Sequence, residues 1–597
     1  MRRIPLSAAS LLFLCFLPAV VGPAQLRAQA DAKPEPVEDR RKALNALFDQ
    51  YWQAFLEAHP EFASSIGDKR YNDKTMDYSV KAVNAWLARE QDWMLKLAAI
   101  DTAGMTEAEK SSREMLLRDL SNDIEGADFK EWEMPMNQMG GIYSAYPQLV
   151  EELDFSGVKD YDDWIARLKA LPDAFDQTIT NMSIGVEDHR VPPKYLLEKT
   201  LTQVKQLAEQ KAEESPLGMP LKKFPASISA AEQERIKTEM LAVIAKRDLP
   251  AYQRLARYLE VSYIPAGRTD PGIWALPDGV KYYQYLIRTA ITTDLTAEQI
   301  HQIGLDEVKR NEAEELAVAQ KLGFTDLKSF YASLKSNPKL HPAGREALLA
   351  AYRSYLTPMQ AKLPQLFGTL PKAPFEVAPV PDYLEKSSAA AYYEPGTPDG
   401  KRPGRLRIDT YNAPDRNLFE VESIAYHEGI PGHHMQFSIA QEMSGLPEFR
   451  KYDFFPAFSE GWALYSERLG KDLGLYQDPY SDYGRLENDQ WRSIRLVVDT
   501  GVHAKHWTRQ QIVDFFHEHS SVSETDVQAE TDRYVAWPSQ ALAYKVGQLK
   551  ILELRDRAKK ALGEKFDIKG FHDQVIDAGA MPLDMLDARI NAWIGRQ

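Results

Sequence analysis

Apolar residues recur at the helical period through most of this chain, and that pattern restricts its fold more than any other feature. Leu44, Leu47, Phe48, Trp52 and Phe55 form one face. The same spacing runs through 79–123, 160–182, 194–213, 228–262, 296–321 and 345–366. Helix starts are marked at Thr106, three residues before Glu109, and at Thr296, where a hydroxyl can cap the free amides of the first turn. Strand signals are few. One is Phe375–Val380; another is Arg405–Tyr411, alternating in period two between Pro403-Gly404 and Asn412-Ala-Pro414. The expected architecture is therefore mostly α with a small β-sheet, and the second strand is expected at an edge, where an extended peptide could pair with it. No internal repeat or low-complexity segment interrupts the pattern. Residues 31–42, charged and proline-bearing, read as a flexible lead-in.

The chemistry concentrates in Ala425-Tyr426-His427-Glu428-Gly429-Ile430-Pro431-Gly432-His433-His434. Val421, Ile424, Ala425 and Glu428 stand at helical spacing, so a helix carries His427 and Glu428 into this stretch. A histidine followed at once by a glutamate opens the pattern H-E-x-x-H, in which two imidazoles on one helix face bind zinc and the glutamate serves as the base. Here Pro431 occupies the fourth position after His427, which predicts a kink or widened turn. If Pro431-Gly432 is a two-residue insertion, His433 returns to the place of the second ligand. On an uninterrupted helix His434 would share the face of His427, but roughly 10 Å along the axis, too far for one ion. His433 is thus the favoured metal ligand. His434 is kept as an outer or transition-state group, and as the alternative ligand.

A zinc site also needs a third protein ligand and an open position. Glu460, in the apolar run Phe458-Ser-Glu-Gly-Trp-Ala-Leu-Tyr465, is the candidate, and Glu467, two helical turns on, could orient a histidine. Arg495, Asp499 and His503 fall at i, i+4, i+8 in a helix that otherwise reads as core. Arg492 and Arg495 are candidates for substrate binding, His503 for substrate or oxyanion contact, and Asp499 for supporting them. In Arg533–Gly547, Gln540, Tyr544 and Gly547 share a helix side. Gln540 is a candidate substrate contact, and Tyr534 and Tyr544 are candidates to hold an oxyanion.

The chain opens with Arg2-Arg3, an apolar run to Val21 and Ala28-Gln-Ala30, the layout of a secretory signal peptide over residues 1–30. Its single cysteine, Cys15, lies inside that run, preceded by Phe13-Leu14, so a lipid anchor is not expected and the mature chain has no thiol. Cysteine-free export suits a bacterial periplasm. Removing Arg2, Arg3 and Arg27 takes the net charge from −15 to −18, which argues against nucleic acid and anionic membrane as partners. Composition is silent on oligomeric state.

With these residues in view, the sequence resembles family 885 of the domains of unknown function, bacterial proteins regarded as candidate zinc metallopeptidases. The resemblance spans nearly all of 31–597. It is carried by Phe55–Glu61 with Gly67–Tyr71, Leu276–Gly279 with Tyr282-Tyr283, Ala391–Tyr393, His427–His434, Glu460–Ala463, Arg495–His503, Arg533–Gly547 and Phe571-His572. More distantly it is similar to helical gluzincins of the angiotensin-converting-enzyme and oligopeptidase type. That implies a bilobed helical metallopeptidase with a deep cleft, lobes at about 43–265 and 266–597, and a small sheet beside the metal helix. It also implies one zinc per chain, held by His427, His433 and Glu460, with Glu428 as general base. The expected substrate is a short peptide. The alternatives are a zinc amidase or esterase acting on a non-peptide small molecule, and a catalytically silent helical binding protein, which would have no use for Glu428.

Overall fold

The computed structural model describes residues 35–597 apart from 382–384 and 386–388; the signal-peptide assignment and Cys15 lie outside them. The protein is mostly helical with one three-stranded sheet. The predicted stripe of Leu44, Phe48 and Trp52 is buried in the Val37–Ala58 helix, against Trp93, Leu116 and Phe449. Thr106 and Thr296 close capping boxes with Glu109 and Gln299. The lead-in is shorter than expected. The first helix starts at Val37, because Arg40 is tied to the carbonyls of Glu35 and Ala103. The single helix read over 228–262 contains two widened turns, Ile244–Asp248 and Leu259–Tyr263. Each stands just before a proline, Pro250 or Pro265, which has no N–H for the regular ladder.

The sheet is β1 (Phe375–Pro379), β2 (Ala391–Glu394) and β3 (Gly404–Ile408), in the order β1-β3-β2. β3 pairs parallel with β1 and antiparallel with β2. The strand expected at the edge is therefore the central one. Its buried Leu406 and Ile408 alternate with arginines, a pattern that reports burial on one face but not how many neighbours a strand has. The outer strands are β1 and β2.

Six of the helices downstream frame the region of interest: α1 (Val421–Glu428), α2 (His433–Glu442), α3 (Pro456–Asp472), α4 (Pro479–Ala504), α5 (Glu524–Ala536) and α6 (Ala543–Leu562). All but α5 contribute to the largest hydrophobic core, which includes Ala425, Tyr426, Met435, Trp462, Leu496 and Val546; α5 packs Val527, Tyr534 and Val535 into a neighbouring one. A second core lies wholly within Met136–Ile264. α3 and α6 cross with Gly461 against Gly547, where a Cβ on Gly547 would sit 1.8 Å from the Ala457 carbonyl oxygen. Among the described residues no helix is long and apolar enough to cross a membrane.

Candidate functional site

α1 ends at Glu428, and four residues reverse the chain before α2 begins at His433. The break is more complete than the expected kink. The Gly432 N–H returns to the Tyr426 carbonyl at 2.9 Å, the His434 N–H reaches the Gly429 carbonyl at 3.1 Å, and the Ile430–Pro431 peptide is cis. A Cβ on Gly432 would lie 1.9 Å from the His427 carbonyl oxygen, so only glycine lets the chain double back this tightly. The Trp462 indole N–H, at 2.9 Å from the Pro431 carbonyl, ties the turn to α3. The result brings His433 beside His427, with ring centroids 5.0 Å apart and planes perpendicular.

Each of these imidazoles is oriented from behind. His427 Nδ1–H donates to Glu467 Oε1 at 2.8 Å, and Ser423 donates to the other oxygen of Glu467. His433 Nδ1–H donates to Gln436 Oε1 at 3.0 Å. Both Nε2 atoms thus carry their lone pairs toward Glu460, whose Oε2 stands 3.6 Å from His427 Nε2 and 3.4 Å from His433 Nε2. That oxygen is buried and has no hydrogen-bond partner. The three donor atoms lie within 4.8 Å of one another. Ligands on a tetrahedral zinc at about 2.0–2.1 Å stand about 3.3 Å apart, so these side chains fit a zinc-sized cation. Burial would push the Glu460 carboxyl up, but His427 and His433 hold it well below the usual range. Burial would likewise lower His427, but Glu460 and Glu467 raise it to about 9.

Glu428 completes the cluster, with Oε1 4.0 Å from His427 Nε2. Burial raises its carboxyl, offset in part by the two histidines. These residues form part of the wall of a cavity of about 870 Å³. Phe62, Ile66 and Met139 line it from the early part of the chain; outer strand β2, Phe437, Arg492 and Tyr544 line it from the later part.

The other sequence candidates divide. Arg492, Arg495 and Tyr544 line the cavity, and the Tyr544 ring stacks 6.2 Å from His427. The Gly461–Gly547 crossing makes this possible, since Glu460 adjoins one glycine and Tyr544 precedes the other by three residues. Gln540 lies in a short turn ahead of α6 rather than on it, and its Oε1 accepts from Arg533 at 2.7 Å.

Tyr534 does not reach the cavity. Its hydroxyl accepts from Arg495 at 3.1 Å and Trp491 at 3.0 Å and donates to Glu530 at 2.6 Å, which leaves nothing for an oxyanion. Nor does His503. Its Nδ1 accepts from the Ile273 N–H at 3.0 Å, its Nε2–H donates to the Tyr534 carbonyl at 2.9 Å, and burial lowers it to about 3. Asp499 does not pair with Arg495; it accepts from Tyr283 at 2.5 Å and the Ser539 N–H at 3.1 Å. The i, i+4, i+8 spacing is real, but it points these two side chains into packing.

His434 faces the sheet. It stacks on Phe375 at 4.5 Å and accepts at Nδ1 from the Tyr393 hydroxyl at 3.0 Å. Burial lowers it to about 4. It is absent from both the donor cluster and the cavity wall. Sequence reasoning missed Arg533 and Glu530, which pair at 3.1 Å behind Tyr544. Their i, i+3 spacing was the available signal.

A crystal structure of a candidate lipoprotein from Colwellia psychrerythraea is similar, with 29% identity over 94% of this chain and 100% of the other and a TM-score of 0.89. A candidate lipoprotein of unknown function from Shewanella oneidensis shares the fold at 18% identity, over 92% of this chain and 98% of the other, with a TM-score of 0.71. Comparison with curated proteins gave no match. A family model matches residues 60–590, and on that match the chain belongs to DUF885, a family of bacterial proteins of unknown function.

Proposed function

We propose that this protein is an exported zinc-dependent metallohydrolase that cleaves short peptides. The observation that carries the reading is the meeting of His427 Nε2, His433 Nε2 and the unpartnered Glu460 Oε2 beside Glu428 on a cavity wall. Zinc bound there would supply Lewis-acid polarisation and a lowered water pKa.

The chain's own residues do the rest. Glu467 and Gln436 hold the two imidazoles with Nε2 unprotonated toward the ligand position. Glu428, its carboxyl raised by burial, takes a proton from the attacking water and returns it to the leaving nitrogen. Tyr544 offers its hydroxyl to the developing oxyanion from the cavity wall, and Arg492 offers donors to the substrate. The outer strand β2 gives an extended peptide a backbone edge to lie along. Two cavity walls from distant parts of the chain support the two-lobed reading, with 43–265 and 266–597 on either side. Export is supported by the signal-like residues 1–30 and by the description of the Colwellia relative as a candidate lipoprotein.

The test is metal analysis of the purified mature protein together with a peptide-library digest. About one zinc per chain and cleavage of short peptides are expected. Glu428→Gln should keep the zinc and lose ~10²–10⁴-fold in rate. A Gln variant within a few-fold of wild type would remove Glu428 from the reaction, and zinc-loaded protein that cleaves no peptide would defeat the reading.

A further inference from the structure

Three guanidinium groups surround one ring on the cavity wall. The Cζ atoms of Arg495, Arg492 and Arg533 lie 4.5, 5.9 and 6.0 Å from the Tyr544 centroid. One carboxylate serves two of the three. Glu530 pairs with Arg495 at 2.9 Å and with Arg533 at 3.1 Å. Arg492 bonds only to the carbonyl and side-chain oxygens of Asn488, at 3.3 and 2.9 Å. Asp526, also on the wall, accepts from Ser523 at 2.6 Å instead. Arg492 thus has no ion pair among the described residues, and Glu428 and Glu420 act on its charge through space. Moreover Arg492 Nε, Arg495 Nη1 and Arg533 Nε are buried without a hydrogen-bond partner. Buried N–H groups of charged donors are costly to leave unmade, so this wall favours an anionic acceptor.

The opposite side of the donor cluster is of another kind. Phe437 lies 5.6 Å from the His433 ring, and Phe454, half exposed, stacks on Phe437 at 6.3 Å. The cavity is thus aromatic on the His433 side and cationic on the His427 side.

We propose that Arg492, Arg495 and Arg533 form a carboxylate subsite, so that the preferred substrate is a short peptide with an apolar residue before the scissile bond and a carboxylate shortly after it. For the position of the scissile bond this rests on the hydrolase reading above; for the anion it rests on the arginines alone. The two ring contacts, 6.2 Å from His427 to Tyr544 and 4.5 Å from Tyr544 to Arg495, place the guanidinium within about 11 Å of the His427 ring. That is the reach of about three extended residues. The carboxylate then belongs either to a C-terminal residue released singly or within a very short fragment, or to an acidic side chain near the cut. A guanidinium receives either one through paired charge-assisted bonds.

Calorimetric titration of the full mature protein, with and without zinc, tests the subsite apart from catalysis. The probes are N-acetyl-Phe-Gly, its C-terminal amide, and N-acetyl-Phe-Asp amide. The free acid should bind about tenfold or more tighter than its amide in both metal states, and Arg492→Gln should bring that ratio near one. Arg492 is the residue to change because its only bonds are to Asn488, whereas Arg495 is buried in a network. Tight binding of the Asp amide assigns the anion to a side chain and still supports the subsite. Equal binding of all three probes, or a preference for the anionic ones that disappears with the zinc, overturns it. Hydrolysis is read separately. Acid-selective binding with no cleavage of any probe defeats the hydrolase reading and leaves the subsite standing.

Discussion

At the scale of single residues, the decisive contrast is between two adjacent histidines. His433 turns Nε2 to Glu460, while His434 is enclosed by Phe375, Tyr393 and Gly404. Alanine at His427, His433 or Glu460 should therefore abolish tight zinc binding by elemental analysis. His434→Ala should keep its zinc; a metal-free His434→Ala protein would contradict the site as drawn. His503 yields a pH prediction. Burial holds it neutral, with its folded-state pKa lowered to about 3, whereas the unfolded chain protonates it near 6.5. The unfolded state thus binds more protons below about pH 6.5, and the group costs stability as pH falls, by about 1.4 kcal/mol per unit. His503→Gln should be less stable than wild type at pH 7, and its deficit should narrow by about 2–3 kcal/mol by pH 4.5. Urea unfolding at the two pH values measures this; a constant deficit would mean that His503 is not buried neutral. The cluster of His427, His433 and Glu460 was legible in sequence because its chemistry is written in residue type and short spacing. Tyr534, His503 and Asp499 were misplaced because a polar residue on a helix face looks the same whether it meets a cavity or a carbonyl.

At the scale of elements, the site depends on two backbone approaches that glycine permits. One is the reversal at Gly432, legible as Pro-Gly between the histidines. The other is the Gly461–Gly547 crossing, which holds Tyr544 over His427, and no local pattern announced it because its two halves are far apart in the chain. Propensity alone says that alanine at a helical glycine stabilises by ~0.5–1 kcal/mol. Here the added Cβ meets backbone, which cannot step aside as a side chain could, and overpacking of this kind costs ~1–3 kcal/mol or more. Gly547→Ala should lower the melting temperature and reduce turnover of the folded fraction, since Tyr544 and Glu460 move apart. An unchanged or raised melting temperature would show that the helices do not approach this closely. The sheet teaches the complementary lesson. Period-two patterning located β1 and β3, but β2, four residues with two adjacent tyrosines, has no alternation to find, and without it β3 reads as an edge.

At the scale of the whole molecule, the cavity governs what can reach the donors. Its walls come from Phe62, Ile66 and Met139 on one side and from β2, α2 and Phe454 on the other, so on the proposed reading a substrate would lie between parts of the chain more than two hundred residues apart. A volume of about 870 Å³ is in the range that encloses a drug-sized ligand. A few extended residues fit such a space, at about 3.3–3.6 Å each. A loop on a folded protein does not, because both flanking strands would have to enter with it. The helical periodicity that dominates the sequence gave the fold class; it could not give this cavity, which depends on how helices distant in sequence are set around the sheet. The expected behaviour is cleavage of peptides of a few to a few tens of residues, with folded proteins spared. Rates on a nested series of peptides, set against a folded protein carrying the same sequence in an exposed loop, measure it. The peptides should be cut at least a hundredfold faster than the loop. Comparable rates on the two would show that the cavity opens far wider in solution than its walls here allow, and would remove size exclusion as the source of selectivity.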